Sequence, residues 1–346
     1  MNFTYRLMHP GDRDALLNLV AASPDAGLIG FSYEYMADPF TVHTTLEPGL
    51  QGAVALHSGQ VVGMVFGEAT RIQWEGQIYP AAYLSNLRVL PAFRRQGVAK
   101  GFAGWGFPYI SEILGPDAIL YGAAMQGNVS RALGEKHGFA STHAIQGGTI
   151  PMRRRMPRVP PGLAFRPARD EELPEVAQAM NTFYREHDLW TPVTAGGLAE
   201  FREQSLLGIH PNELWVLARG SQLLAGFSLS DRTRLVRMQI QRASGPVRLL
   251  GALLGILPRS GELRSLTVRR VWYQEGELEA GQYLWEQARY QFRNRGSSLG
   301  IAYDPTDNLG QVFRVPSWLP MFKANYLVRG MPGEDSRRPV YCTAGP

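Results

Sequence analysis

Apolar and polar residues alternate over Val54–Gly63 and again over Val216–Gly226, and each stretch has a glycine and a serine at its centre. A two-residue period around a glycine turn predicts a β-hairpin. Upstream of each hairpin, an arginine, an acidic residue and an aliphatic residue recur at the same spacing, which predicts a first strand that leads into an amphipathic helix. The first set is Arg6, Asp12 and Leu16, and the second is Arg166, Glu172 and Val176.

The repeat predicts two copies of one α/β unit. Prolines between the copies forbid a continuing helix. We therefore predict an N-terminal domain over 1–156, a proline-rich linker over 157–162 and a C-terminal domain over 163–346. The spacing between matching residues grows along the second copy, which predicts an insertion there. The apolar run Val247–Pro258 falls within the insertion, and we interpret it as a buried helix because it is too short to span a bilayer.

Composition is that of a globular protein. The chain has 346 residues, of which 45% are hydrophobic and 19% are charged, so it is long enough for two cores. Its one cysteine, Cys342, excludes an intrachain disulfide and suits a reducing cytoplasm, and the N-terminus lacks an apolar stretch of signal-peptide length. The net charge of +5 comes mostly from arginine, and the densest cluster, Arg153–Arg158, lies beside prolines and favours a solvated linker over a nucleic-acid site.

The stretch Tyr83–Lys100 carries the strongest functional signal. It predicts a strand that ends near Val89, a loop marked by proline, and a helix that begins after Gly97. Such a junction directs unpaired backbone N–H groups and the positive end of the helix dipole at one point, where anions bind. Gly97 lets an anion approach the backbone, and Arg94 and Arg95 can add contacts to phosphate oxygens. The predicted ligand carries a diphosphate.

This stretch resembles the acyl-CoA-binding motif of the GCN5-related N-acetyltransferases, in which Arg or Gln-x-x-Gly-x-Gly or Ala follows a Val-x-Pro strand end. The matching residues are Val89, Pro91, Arg94, Gly97 and Ala99. A second segment resembles the helix-to-strand signature of the same family through Asn128, Leu133, Lys136, Gly138 and Phe139. The resemblance implies an α/β protein of two tandem acetyltransferase-type domains, each a mixed, mainly antiparallel sheet flanked by helices.

The resemblance also implies acetyl-CoA as co-substrate. In the family, pantetheine pairs with the edge of the fourth strand, which by position is the main chain of Leu87, Arg88 and Val89. The N–H groups on the pyrophosphate would be those of Arg95, Gln96, Gly97, Val98, Ala99 and Lys100. Asn128 would meet the pantetheine or acetyl end, although a helix N-cap explains it equally well, and Arg131 would lie near the nucleotide.

The loop of the second copy differs from that of the first. Tyr273 stands where the first copy has Arg94, and three glutamates surround Gly276. Carboxylates at a helix N-terminus take the favourable electrostatic position themselves and repel a diphosphate. We therefore expect a degenerate second domain and an active site in the first.

Proton transfer is less clearly marked. The proton-donating tyrosine of the family would stand at position 134, where this chain has Gly134. Three possibilities remain open: a substitute tyrosine, either Tyr121 or Tyr83; departure of the CoA thiolate without help; and a domain that binds acyl-CoA without turning it over. Glu68 is a candidate general base by position.

The acceptor side has one further candidate base, Glu34, within the aromatic segment Phe31–Phe40, which could hold a cationic amine. We predict an acetyl-CoA-dependent N-acetyltransferase that acts on a primary amine of a small molecule or peptide, with the first domain catalytic. The alternative is a non-catalytic acyl-CoA-binding module with a regulatory role. An aminoacyl transferase is disfavoured by the intact phosphate loop. We expect no metal, nucleic-acid or membrane partner, a monomer or homodimer, and a cytoplasmic location.

Overall fold

The computed structural model describes residues 2–23, 29–47, 49–126, 129–158, 160–243, 261–332 and 336–342, with the single positions 245, 249, 251 and 253. The chain forms two compact units. The first comprises residues 1–142, 235–243 and 324–336, and the second comprises residues 143–234, 244–323 and 337–346. Neither unit is continuous in sequence, and the boundary predicted at 157–162 stays a prediction.

The elements follow the repeat. In the N-terminal half they are β1 (Thr4–Leu7), α1 (Arg13–Ala22), β2 (Ile29–Tyr35), α2 (Pro39–Leu46), β3 (Leu50–His57), β4 (Gln60–Trp74), β5 (Gln77–Val89), α3 (Val98–Leu114), β6 (Ile119–Met125), α4 (Val129–Lys136) and β7 (Ala140–Pro151). In the C-terminal half they are β8 (Leu163–Pro167), α5 (Leu173–Phe183), α6 (Ala195–Glu203), β9 (Asn212–Arg219), β10 (Gln222–Ser230), β11 (Val236–Ala243), β12 (Glu262–Leu263), β13 (Ser265–Tyr273), α7 (Leu278–Gln291), β14 (Ser298–Tyr303), α8 (Leu309–Phe313) and β15 (Phe322–Arg329).

The sheets of the two units correspond strand for strand. The order is β1-β3-β4-β5-β6-β15 in the first unit and β8-β9-β10-β13-β14-β7 in the second. Neighbours β5 and β6 are parallel, as are β13 and β14, whereas the hairpins β3–β4 and β9–β10 are antiparallel. Each sheet is therefore mixed and mainly antiparallel, as the family resemblance implies.

Each sheet is completed by a strand from the other half of the sequence. The late strand β15 pairs with β6, where Val328 lies opposite Tyr121, and the early strand β7 pairs with β14. Strand β11, which belongs to the insertion of the second copy, pairs with β2 in the first unit. Removing residues 163–346 would take β11 and β15 from the first unit, so the two copies cannot be separated by a cut at the linker.

The repeated arginine and acidic residue at the start of each copy form an ion pair. Arg6 donates through both terminal nitrogens to Asp12 at 2.7 and 2.6 Å, and Arg166 donates in the same way to Glu172 at 2.7 and 2.5 Å. Each carboxylate also accepts the backbone N–H of the residue three positions before it. Each bidentate arginine–carboxylate pair therefore joins the first strand of its copy to the helix that follows.

We expect Glu172→Gln to lower the free energy of unfolding at pH 7 by about 1–2 kcal/mol. The Arg166 guanidinium, by its hydrogen bonds, lowers the pKa of Glu172 from 4.5 to about 2. That shift corresponds to about 3 kcal/mol, and we reduce this figure for solvent screening of the pair. Since the folded-state pKa is the lower one, the stabilisation is complete above pH 4.5 and is lost as the pH falls toward 2.

Urea denaturation at pH 7 and at pH 3 measures this effect, and the difference between the variant and the unchanged protein should be smaller at pH 3. Glu171→Gln is the matched control, because the Glu171 side chain is 71% exposed and lies 3.9 Å from Arg169. Equal losses at the two pH values would contradict the assignment of the stabilisation to an ionised Glu172.

Helix α3 is continuous from Val98 to Leu114, although it contains three glycines in its first half and Pro108. Gly101 is required by packing, since a Cβ there would collide with the Tyr5 hydroxyl, and that hydroxyl donates to Val98 O at 3.2 Å. Apolar side chains hold the helix on the sheet, which offsets the low helix propensity of its glycines and of Pro108. The packed residues include Phe102, Phe107, Ile110 and Leu114.

The apolar run Val247–Pro258 is described only at single helical positions. Leu249 and Leu253 are 66% and 71% exposed, so the interpretation as a buried helix is wrong at these two positions. The rest of the run lies outside the described residues. No described helix combines the length and apolar character needed to cross a membrane.

Candidate active site

The candidate site begins where β5 and β6 separate. The two strands pair only at Ala81–Tyr83 and Ile119–Tyr121, whereas β5 continues to Val89. Strand β4 covers the other edge of β5 as far as Val89. Among the described residues, the stretch from Leu84 to Val89 therefore has one edge without a strand partner. Such an edge offers N–H and C=O groups to an extended ligand.

A bulge bends β5 at this edge. Asn86 and Leu87 together lie opposite Val65, and Asn86 adopts a left-handed φ of 53°. Asparagine is among the residues that tolerate this conformation best. Strand β13 of the second unit has the same bulge at Arg270, with a φ of 54°. The bulge thus belongs to the repeated fold, although the alternation of apolar residues gives no sign of it.

The main chain predicted to hold pantetheine lies on this open edge, at Leu87, Arg88 and Val89. The Arg88 guanidinium donates to Ser23 O, and Ser23 Oγ donates to Val89 O at 3.2 Å. Arg94 Nε donates to the same Val89 carbonyl at 3.1 Å. The side chain of Arg88 therefore anchors the end of α1, and the Val89 carbonyl is already engaged by the chain itself.

The loop after β5 has a defined shape. A 3-10 turn over Pro91–Phe93 is followed by Arg95 and Gly97, which have left-handed φ values of 63° and 90°. Gln96 Nε2 donates to Ala92 O at 2.7 Å and closes the loop. The side chains of Arg94, Arg95 and Gln96 are exposed.

We call residues Arg95–Lys100 the anion cradle. At the N-terminus of α3, a backbone hydrogen bond runs from the Gly101 N–H to Gly97 O at 2.9 Å. The N–H groups of Val98, Ala99 and Lys100 precede it and have no carbonyl within the helix to bond. A Cβ at Gly97 would meet nothing within 4 Å, so the space beside Gly97 is open. The first turn of α3 has no acidic residue, which leaves the helix dipole uncompensated for an anion.

Lys100 also lines an open groove of about 480 Å³ along α3. Arg329, from β15, places its guanidinium carbon 4.6 Å from the centre of the Phe107 ring, and His137 lies 6.2 Å from the same ring. The groove thus combines basic and aromatic groups directly beside the anion cradle. The sequence gives no indication of this groove, because Arg329 belongs to the late strand β15, and only the fold places that strand in the first unit.

The three residues proposed for proton transfer lie in one row. Glu68 of β4 is opposite Tyr83 of β5, and Tyr83 is opposite Tyr121 of β6. Residues directly opposite one another project from the same face of a sheet. The ring centres of Tyr83 and Tyr121 are 5.2 Å apart, and those of Tyr121 and Tyr326 are 6.2 Å apart. The row lies where β5 and β6 begin to separate.

Exposure distinguishes the two tyrosines. Tyr121 is only 1% exposed, whereas Tyr83 and Glu68 are half-buried. A proton donor must be within reach of the bound ligand, which favours Tyr83 over Tyr121. Glu34, the other candidate base, lies 3.7 Å from Arg237 on the surface, with the two side chains 58% and 50% exposed.

Gly134 lies against a side chain of β15. A Cβ at Gly134 would lie 2.9 Å from Leu327 Cδ1, the end of a flexible side chain, so a larger residue there would require Leu327 to move. Arg131, predicted to lie near the nucleotide, pairs with Glu135 at 2.9 Å on α4. Asn128 lies outside the described residues.

The corresponding loop of the second unit differs from the cradle. In the second unit Tyr273 lies opposite Ala225, just as Val89 lies opposite Gly63 in the first unit. Tyr273 therefore corresponds to Val89, and the prediction that aligned Tyr273 with Arg94 is wrong. Only Gln274–Glu277 joins β13 to α7, a shorter loop than the one from β5 to α3. The described residues include no group of three or more His, Cys, Asp or Glu side chains placed to hold a metal ion.

No protein-family model matches the chain, and no curated protein matches it in sequence. Solved structures match its fold. Saccharomyces cerevisiae N-myristoyltransferase with bound myristoyl-CoA has a TM-score of 0.67 at 12% identity, over 96% of this chain and 84% of that one. A GCN5-related N-acetyltransferase from Sphaerobacter thermophilus has 0.58 at 14%, over 96% and 98%, and one from Anabaena variabilis has 0.54 at 12%, over 95% and 72%. The predicted fold, a duplicated acetyltransferase fold, is thereby confirmed.

Proposed function

We propose that this duplicated acetyltransferase fold is an acyl-CoA-dependent N-acyltransferase, with binding and catalysis in the first unit. One observation carries the proposal: the row Glu68–Tyr83–Tyr121 lies where β5 and β6 begin to separate, the open edge of β5 continues from there to Val89, and the anion cradle follows at the start of α3. The cradle suits the diphosphate, the edge suits pantetheine, and the row suits the thioester. The basic and aromatic groove that starts at Lys100 suits the remaining nucleotide.

For the donor we propose acetyl-CoA. A long acyl chain needs an apolar cavity beyond the thioester. Where β5 and β6 begin to separate, the rings of Tyr83, Tyr121 and Tyr326 pack side by side, and Tyr121 and Tyr326 are 1% and 0% exposed. A two-carbon acyl group fits there better than a fourteen-carbon one.

The acceptor is a primary amine of a small molecule or peptide. In the proposed step, Glu68 takes a proton from the ammonium, directly or through water, and the neutral amine attacks the thioester carbonyl. The new bond is C–N and the broken bond is C–S. Tyr83 gives its proton to the departing CoA sulfur, the attacking nitrogen loses its second proton to solvent as the amide forms, and Tyr83 regains a proton from solvent.

The alternative is an acyl-CoA-binding module without turnover. It is favoured by Gly134, because this chain has no side chain at the position where the family has its proton donor. In this case the cradle and the edge of β5 would bind the cofactor, and the row of side chains would only close the cleft.

Isothermal titration of acetyl-CoA, followed by thiol-release assays with a panel of primary amines, tests both proposals. We expect one binding site per chain with a micromolar Kd, and release of free CoA with at least one amine. Binding without release from any amine would favour the alternative, and absence of binding would exclude both. Tighter binding and faster release with myristoyl-CoA would overturn the choice of donor.

A further inference from the structure

The second unit has the same separation of strands as the first, but its cleft is filled. Strands β13 and β14 pair only at Ser265–Thr267 and Ser298–Gly300. Val340, Tyr341 and Cys342 lie beside the separated parts and are 2%, 7% and 8% exposed. Between them and the two strands remains a cavity of about 10 Å³, the space of a single water.

The main chain of this segment is held on two sides. The Asp188 N–H donates to Pro339 O at 2.8 Å, and the Tyr341 N–H donates to Asp188 O at 2.8 Å, which forms a parallel bridge. From the other side, Asp304 Oδ2 accepts the Val340 N–H at 3.0 Å. This is how a domain binds an extended peptide beside its own chain.

Two side chains of the segment have dedicated partners. The Tyr341 ring lies 5.0 Å from the ring of Tyr184 and 4.7 Å from that of Trp190, and its hydroxyl bonds to Arg270, the residue at the bulge. Such an aromatic pocket gives both burial and orientation. The hydroxyl of Tyr184 donates to Val271 O at 2.6 Å, which fixes one wall of the pocket to β13.

Arg338 is recognised by carbonyls and carboxylates. Its guanidinium donates to Arg185 O at 2.6 Å and to Glu186 O at 3.1 Å, and lies 3.1 Å from the Glu186 carboxylate. Arg337, its neighbour, is exposed. Backbone pairing gives affinity and side-chain pockets give specificity, and the segment has both.

We propose that the cleft of the second unit is a peptide-binding site, which the chain's own segment Arg337–Cys342 occupies intramolecularly. The recognised pattern is an arginine followed three positions later by tyrosine. The site takes a peptide in place of acyl-CoA, and it stands on the contacts of the segment, independently of the proposed catalytic activity.

The test uses the full chain with a protease recognition sequence in place of Gly333–Asp335, a stretch outside the described residues. After folding, cleavage leaves residues 336–346 attached only by non-covalent contacts. A fluorescent peptide of residues 336–346, in excess, should replace the cleaved segment and bind with a micromolar Kd. Peptides with Tyr341→Ala or Arg338→Ala should bind at least about 10-fold more weakly. The matched control, Arg337→Ala, should bind like the unchanged peptide.

A second variant avoids cleavage. The intact chain with Tyr341→Ala should bind the unchanged peptide in solution, whereas the unmutated chain should not, because its own segment competes at high local concentration. The proposal is overturned if the cleaved segment never exchanges, if its release unfolds the second unit, or if the four peptides bind equally. Failure of acetyl-CoA to bind would leave all of these outcomes unaffected.

Discussion

Isothermal titration of acetyl-CoA into a Gly97→Asp variant is expected to give binding at least about 100-fold weaker than in the unchanged protein. A Cβ at Gly97 would meet nothing within 4 Å, so an aspartate side chain fits there and would place a negative charge beside the N–H groups proposed to bind the diphosphate. Two like charges about 4–5 Å apart at a protein surface repel by about 3–4 kcal/mol, which is more than a 100-fold loss requires. The φ of 90° adds backbone strain for any residue with a Cβ.

Gly106→Asp is the matched control for this substitution. A Cβ at Gly106 also meets nothing within 4 Å, and the residue lies in the same helix, but two turns beyond the first N–H groups. It adds the same charge, and we expect the Kd for acetyl-CoA to change by less than about 3-fold because solvent screens the greater distance. Equal losses in both variants would mean that α3 itself had been damaged, and no loss in either would remove the cradle from the proposed site.

The sequence predicts those parts of the molecule whose signals are local. The spacing of Arg6 and Asp12 recurs in the second copy and predicts a strand that leads into a helix, and the structure adds that the two side chains form an ion pair. The cradle is readable for the same reason, since its donors are consecutive residues at one helix end. Glu68 and Tyr83 could be nominated only separately, because their adjacency depends on the pairing register of β4 and β5.

Pairing between remote segments left no local signal. A strand such as β15 has the same apolar pattern whichever sheet receives it, so its place in the first unit could not be derived from the sequence. Three features of the site follow from that placement: Leu327 against Gly134, Tyr326 beside Tyr121, and Arg329 in the groove. The sequence aligned the two loops wrongly for a related reason. It matched Gly276 with Gly97, whereas two residues of the repeat are equivalent only when they hold the same position relative to the bulge and the β-pairing register.

The proposed proton donor predicts a loss of turnover without a loss of binding. Tyr83→Phe should lower kcat by about 10²–10⁴-fold, the usual cost of removing a general acid, and leave the Kd for acetyl-CoA unchanged. The phenyl ring keeps the 5.2 Å contact with the ring of Tyr121, so the substitution removes only the hydroxyl. Steady-state kinetics with the best amine from the panel, combined with titration of acetyl-CoA, separates the two quantities.

Tyr121→Phe is the control, since it removes a hydroxyl from the next strand in the same row, and its side chain is only 1% exposed. We expect kcat to fall by less than about 10-fold in that variant. A large loss at Tyr121 with none at Tyr83 would reverse the assignment of donor. If neither tyrosine variant loses activity but Glu68→Gln does, the CoA thiolate leaves without a proton donor from this row. Gly134 would then be consistent with an enzyme that deprotonates its amine but gives no proton to its leaving group.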